Sequence, residues 1–111
     1  MVIAFDVYQW VHGGRPVNSN FTELIEYIKR NNIEIEKDKM IITGRVCTDF
    51  GLKANDILIS EKGHKFTAEK FYCYGQTLDF VGECMMCGIL TNTIDDELFD
   101  GLKLYLESRT E

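Results

Sequence analysis

The sequence predicts a mostly β fold, a small antiparallel β-barrel carrying one inserted α-helix. Three observations predict it. Short apolar runs alternate with turn signals about every ten residues, the spacing of a barrel or sandwich. Seven Phe and five Tyr stand against a single Pro, so strand formers abound and breakers are scarce. One segment alone switches from a two-residue to a 3.6-residue period. The 111 residues match one compact domain, expected to span 1–111.

Residues 2–11 (VIAFDVYQWV) are dense in β-branched and aromatic side chains and run into Gly13-Gly14-Arg15-Pro16, a strand ending in a turn. Ile3, Phe5, Val7 and Val11 fall on one face, and Ala4, Tyr8 and Trp10 on the other, so both are expected to be partly buried. Phe21, Leu24, Ile25 and Ile28 recur at i, i+3, i+4 and i+7, one stripe of a helix over about 20–31. Asn20 and Glu23 have capping-box spacing, Lys29 and Arg30 suit the negative end of the helix dipole, and Asn31-Asn32 tolerates a left-handed stop. Ile33 and Ile35 alternate with Glu34 and Glu36 and return to a strand pattern, which 40–46 continues as a longer strand. Residues 51–56 then read as a turn, 57–59 as a strand, 61–64 as a turn and 65–74 as a long strand. A short segment lies between Gly75-Gln76 and Gly82-Glu83, 84–90 reads as a buried strand, and 102–106 is the last strand.

Charge narrows the function classes. Twelve Lys+Arg against 18 Asp+Glu give a formal net charge of -6, which opposes broad phosphate-backbone binding. No apolar run approaches the roughly 20 residues of a membrane span. The start, MVIAFDVYQW, lacks a basic region and carries Asp6 in its apolar stretch, unlike a signal peptide. A cytoplasmic location without membrane contact is the expectation, with Cys47, Cys73, Cys84 and Cys87 as reduced thiols.

Four ordered pieces then resemble one family. Thr43-Gly44-Arg45-Val46 is similar to a TGRV strand, and Gly51-Leu52-Lys53-Ala54-Asn55-Asp56 to a G-x-(L/I)-K-(V/A)-G-D turn. Leu78-Asp79-Phe80-Val81-Gly82-Glu83 with Cys87-Gly88-Ile89-Leu90 is similar to an LDE-x-x-(A)-G-(D/E)-x-(V)-G-(V/L)-L stretch. Asp96-Glu97-Leu98-Phe99-Asp100-Gly101 resembles a helical turn before a glycine and the closing strand. Over about 42–106 the chain thus resembles domain 2 of the translational GTPases, the β-barrel of elongation factor Tu and its relatives. Asp6-Val7-Tyr8-Gln9-Trp10-Val11-His12-Gly13-Gly14-Arg15 looks like that family's DVF strand, which normally runs straight into TGRV. Here about 25 residues intervene, so the resemblance implies an inserted helix at the first hairpin. The match carries a backbone expectation. Asn55 replaces the turn glycine and should take positive φ, while Gly82 and Gly88 should mark bends or close backbone approaches. No G-x-x-x-x-G-K-(S/T) loop is present, so the chain resembles the barrel without the GTPase, and GTP binding is not expected.

Candidate chemistry is sparse. Cys84-x-x-Cys87 has metal or redox spacing, and Cys47 and Cys73 could complete four zinc ligands. In a strand, however, residues three apart face opposite sides, and no helix follows to activate a thiol, so core thiols and no metal are expected. His12 and His64 are placed in turns without a nucleophile motif, with His64 a solvated loop residue. Asp95, Asp96, Glu97 and Asp100 lack the order of a calcium loop. They are expected as a solvated acidic stretch that could dock a basic protein partner. Tyr8, Trp10, Tyr72 and Tyr74, with Lys65 and Lys70 nearby, suggest base stacking, and in the resembled factors this barrel helps hold the aminoacyl end of tRNA. The net charge of -6 opposes such an RNA-end contact. The expectation is a non-catalytic, cofactor-free protein-binding module. Its alternative is a small acidic immunity-protein or antitoxin-like inhibitor of a basic toxin or nuclease.

Overall fold

The computed structural model describes residues 2–12, 26, 28–30, 32–73, 76–93 and 103–108, and among them the fold is mostly β. Among the described residues nine strands run in the order β1 Val2–His12, β2 Met40–Val46, β3 Leu52–Lys53, β4 Ile57–Ser60, β5 Lys65–Cys73, β6 Gln76–Leu78, β7 Phe80–Val81, β8 Met86–Thr91 and β9 Lys103–Ser108. Six of them, in the order β4-β9-β1-β2-β8-β5, close into an antiparallel ring because β5 also pairs with β4. This is the expected barrel. Strand β6 continues from β5 outside the ring, and β3 pairs with β7 as a separate two-stranded ribbon. No helix among the described residues is long and apolar enough to cross a membrane.

Bulges set which side chains reach the interior. Strand β1 shifts register against β9 between Ile3 and Phe5, and against β2 between Val7 and Gln9. The first bulge lets Ala4 and Phe5 both be buried although they are adjacent, and leaves Ile3 outside at 39% exposure. The second moves the inward phase from odd to even residues, so that Trp10 packs against the core formed by Phe5, Val7, Ile42, Phe71, Ile89 and Leu104. The simple two-face alternation expected for this strand therefore holds only between the bulges. A third irregularity, between Ala68 and Lys70 on β5, frees Glu69 to accept a 2.7 Å bond from Lys39 Nζ.

Strands β1 and β2 are antiparallel neighbours, His12 opposite Met40, so residues 13–39 form the connection between them. Residue 26 and residues 28–30 are helical; the rest of the expected helix over about 20–31 lies outside the described residues. Ile28, Ile33 and Ile35 cover a second apolar cluster, Ile41 and Tyr72, separate from the interior core. Asn32 takes φ 53°, the left-handed stop expected there. Three expectations are corrected. Residues 33–36 are not a strand: Ile33 and Ile35 alternate because they lie half-buried against Ile41 and Tyr72. The turn expected over 51–56 contains β3, and only Ala54 and Asn55 form its tip. His12 is the last residue of β1 rather than a turn residue.

Candidate protein-docking surface

One end of the barrel is built from two hydrogen-bonded loops. The chain leaving β2 turns at once, with the Thr48 hydroxyl donating to the Gly51 carbonyl at 2.7 Å and Gly51 N–H donating to the Thr48 carbonyl. Gly51 sits at φ 76°, and a Cβ there would strike the Val81 carbonyl and stand 2.7 Å from the Phe80 ring. Glycine at 51 thus lets Phe80 lie over the turn whose tip is Phe50. The second loop joins β7 to β8. Gly82 N–H donates to Met85 Sδ at 3.1 Å, while Cys84 N–H and the Met85 carbonyl bond to the backbone of Val46. Leu52 and Val81 on the β3–β7 ribbon turn inward and are buried, which leaves Phe80, opposite Lys53, on the outer face.

The result is an exposed apolar surface on a closed fold. Phe50 is 43% exposed, Phe80 54% and Met86 51%. Asp49 and Asp79, each next to one of these phenylalanines in the chain, and Glu83, midway between Phe80 and Met86, are exposed and are in none of the ion pairs found among the described residues. Elsewhere Asp6 pairs with Lys103, Glu69 with Lys39 and Glu107 with Lys65. Two exposed aromatics beside charged side chains make this end the candidate for an interaction surface.

The sequence-derived candidates are dispersed. Asp95, Asp96, Glu97 and Asp100 lie outside the described residues, as does Tyr74. Tyr72 is buried on the barrel exterior under Ile28, Ile33 and Ile35, and Trp10 packs inward, so these two rings do not form a stacking platform. The 84–90 strand begins only at Met86, because Cys84 takes φ 65° in the preceding turn. Cys84 is therefore exposed and Cys87 buried for a different reason than strand alternation. Burial pushes the Cys87 thiol up to about 12, with Cys73 nearby adding to the shift. Cys47, half-buried beside Asp6, is also raised, first by burial and then by the Asp6 carboxylate, the opposite of nucleophile activation. Among the described residues no three His, Cys, Asp or Glu side chains converge as metal ligands. His64 directly follows the turn and is half-buried rather than fully solvated: its Nε2 is buried without a hydrogen-bond partner among the described residues.

Sequence reasoning missed Phe50 and passed over Phe80. The available signal was a large aromatic at the centre of Thr48-Asp49-Phe50-Gly51, a position where turns normally carry small polar residues. No known protein family, curated protein or solved structure matches the chain.

Proposed function

We propose that this chain is a non-catalytic protein-binding module, built like domain 2 of the translational GTPases, that docks a basic partner at the Phe50–Phe80 end of the barrel. The observation that carries the reading is the pair of exposed phenylalanines held on hydrogen-bonded turns. The ordered TGRV-like and LDE-like pieces and the positive φ of 75° at Asn55 support the barrel likeness. A partner that covers both rings and offers Lys or Arg to Asp49, Asp79 and Glu83 would bury apolar area and satisfy three carboxylates together. Those carboxylates favour a second reading, an acidic inhibitor of a basic toxin or nuclease, in which the same end covers the partner's cationic site. A cytoplasmic setting fits either one.

The test compares wild type with the double variant Phe50→Ser/Phe80→Ser in affinity capture from the native host. Both readings expect one partner recovered by wild type and lost by the variant, since truncating a central anchor that acts as a hot spot costs about 2 kcal/mol or more. Identical capture by the two proteins rules this end out and moves the search to Asp95, Asp96, Glu97 and Asp100. A captured nuclease or toxin whose activity falls on binding selects the inhibitor reading.

A further inference from the structure

We infer that Cys73 and Cys87 are a redox-responsive cross-strand pair that closes to a disulfide between β5 and β8 under a peroxide. The inference rests on strand register and is independent of the docking surface. Tyr72 stands opposite Gly88, and one further step along these antiparallel strands places Cys73 opposite Cys87. Residues directly opposed in an antiparallel pair have Cα atoms about 4.5 or 5.5 Å apart, within the roughly 4.4–6.8 Å span of disulfides. Both side chains belong to the same interior cluster, so they point to the same side of the sheet. Cys73 Sγ donates to the Met86 carbonyl at 3.1 Å, which sets its sulfur against β8 one residue from Cys87.

The chemistry needs only the two thiols and the oxidant. One thiol gives up its proton and attacks the peroxide O–O bond as the thiolate, forming a sulfenic acid and hydroxide, which takes up that proton to leave as one water. The second thiol then attacks that sulfur, forming the S–S bond and releasing a second water. Overall, two thiols and one hydrogen peroxide give one disulfide and two waters. Burial raises both thiols, so little thiolate is present near neutrality and the reaction is slow. The pair therefore answers sustained oxidation rather than brief pulses. Once formed, the bond ties the end of β5 to the start of β8, immediately beyond the turn that carries exposed Cys84.

Hydrogen peroxide applied to the folded full chain, followed by intact-mass and peptide mapping, tests the inference. The expected product is about 2 Da lighter, with Cys73 joined to Cys87, and melts several degrees higher until reductant is added. Its formation rate should rise about tenfold per pH unit between about pH 7 and 9 as thiolate appears. Cys84→Ser should retain the link and Cys73→Ala should abolish it; mapping of the wild-type chain stands whether or not the second variant folds. The inference is overturned if Cys84 is oxidised to a sulfinic acid while Cys73 and Cys87 remain free thiols. A link that maps to Cys84 overturns it equally.

Discussion

At the residue scale, a buried atom without a partner is the simplest handle on stability. The His64 imidazole tilts against Phe66 with ring centroids 4.7 Å apart, and its Nε2 is desolvated without a bond in return among the described residues. The backbone of His64 bonds to Ser60 in both directions independently of the ring. His64→Leu keeps those bonds and the contact with Phe66, so it should stabilise the protein by about 1 kcal/mol in urea unfolding; a loss of stability would show that the imidazole is satisfied in solution. Glycines make the opposite kind of site. A Cβ on Gly44 would collide with the Asp6 carbonyl across β1, where backbone cannot rotate aside, and Gly44→Ala should cost about 1–3 kcal/mol. At Gly82 the nearest atom to a Cβ is Met85 Sδ at 3.7 Å, an ordinary contact, so Gly82→Ala should stay within about 0.5 kcal/mol. Crowding thus falls on the glycine of the TGRV-like strand, whereas Gly82, expected with Gly88 at a bend or a close backbone approach, has room for a Cβ and stands just before the turn at Glu83 and Cys84. Thiol reactivity should rank the same way as exposure: iodoacetamide at about pH 8 should label Cys84 first, Cys47 next, and the buried Cys73 and Cys87 last by peptide mass.

At the element scale, the connection between β1 and β2 acts as a cover. Ile28, Ile33 and Ile35 shield Ile41 and Tyr72 on the outside of the ring, and Lys39 fastens the segment to Glu69 on β5. Replacing residues 13–39 by Asn-Gly should leave β1 and β2 paired, since a two-residue turn suits antiparallel neighbours. The uncovered Ile41 and Tyr72 should then lower the melting temperature and cause concentration-dependent self-association, measured by light scattering. A shortened protein that stays monomeric at high concentration would deny the covering role. Element boundaries were largely legible in the sequence, because β2, β4, β5 and β8 are short apolar runs between polar turns. The bulges in β1 were not, since one extra residue leaves no mark on composition and shows only when β2 and β9 supply the register. The strand pattern at Ile33 and Ile35 misled for a related reason: alternation reports a half-buried extended segment whether or not a neighbouring strand bonds to it.

At the scale of the whole molecule, pH dependence follows from the buried thiol. Cys87 is raised from an ordinary 9.0 to about 12, so between those values the unfolded chain has lost a proton that the folded chain retains. Its contribution is complete below about pH 9 and fades as pH rises toward 12; Cys73 and Tyr72, also raised, act in the same direction. Stability measured by urea unfolding should therefore fall by on the order of 2–4 kcal/mol across that window, and Cys87→Ala should flatten the slope. The barrel itself was readable from turn spacing, whereas the end proposed to dock a partner was not. Phe50 and Phe80 become one surface only when β3 pairs with β7, a contact between two-residue strands too short for any periodic signal.

The pairing of β1 with β9 joins Val2 to Leu106, positions separated by roughly 100 residues of chain. During synthesis at about 5–20 residues per second, β1 leaves the ribosome several seconds before its β9 partner exists. Throughout that interval Val2, Ile3, Phe5 and Asp6 present an unmatched strand edge, and β4 waits for β9 as well. Nascent chains of this protein should therefore be clients of ribosome-bound holdases until β9 has left the ribosome, with closure of the ring as the final event.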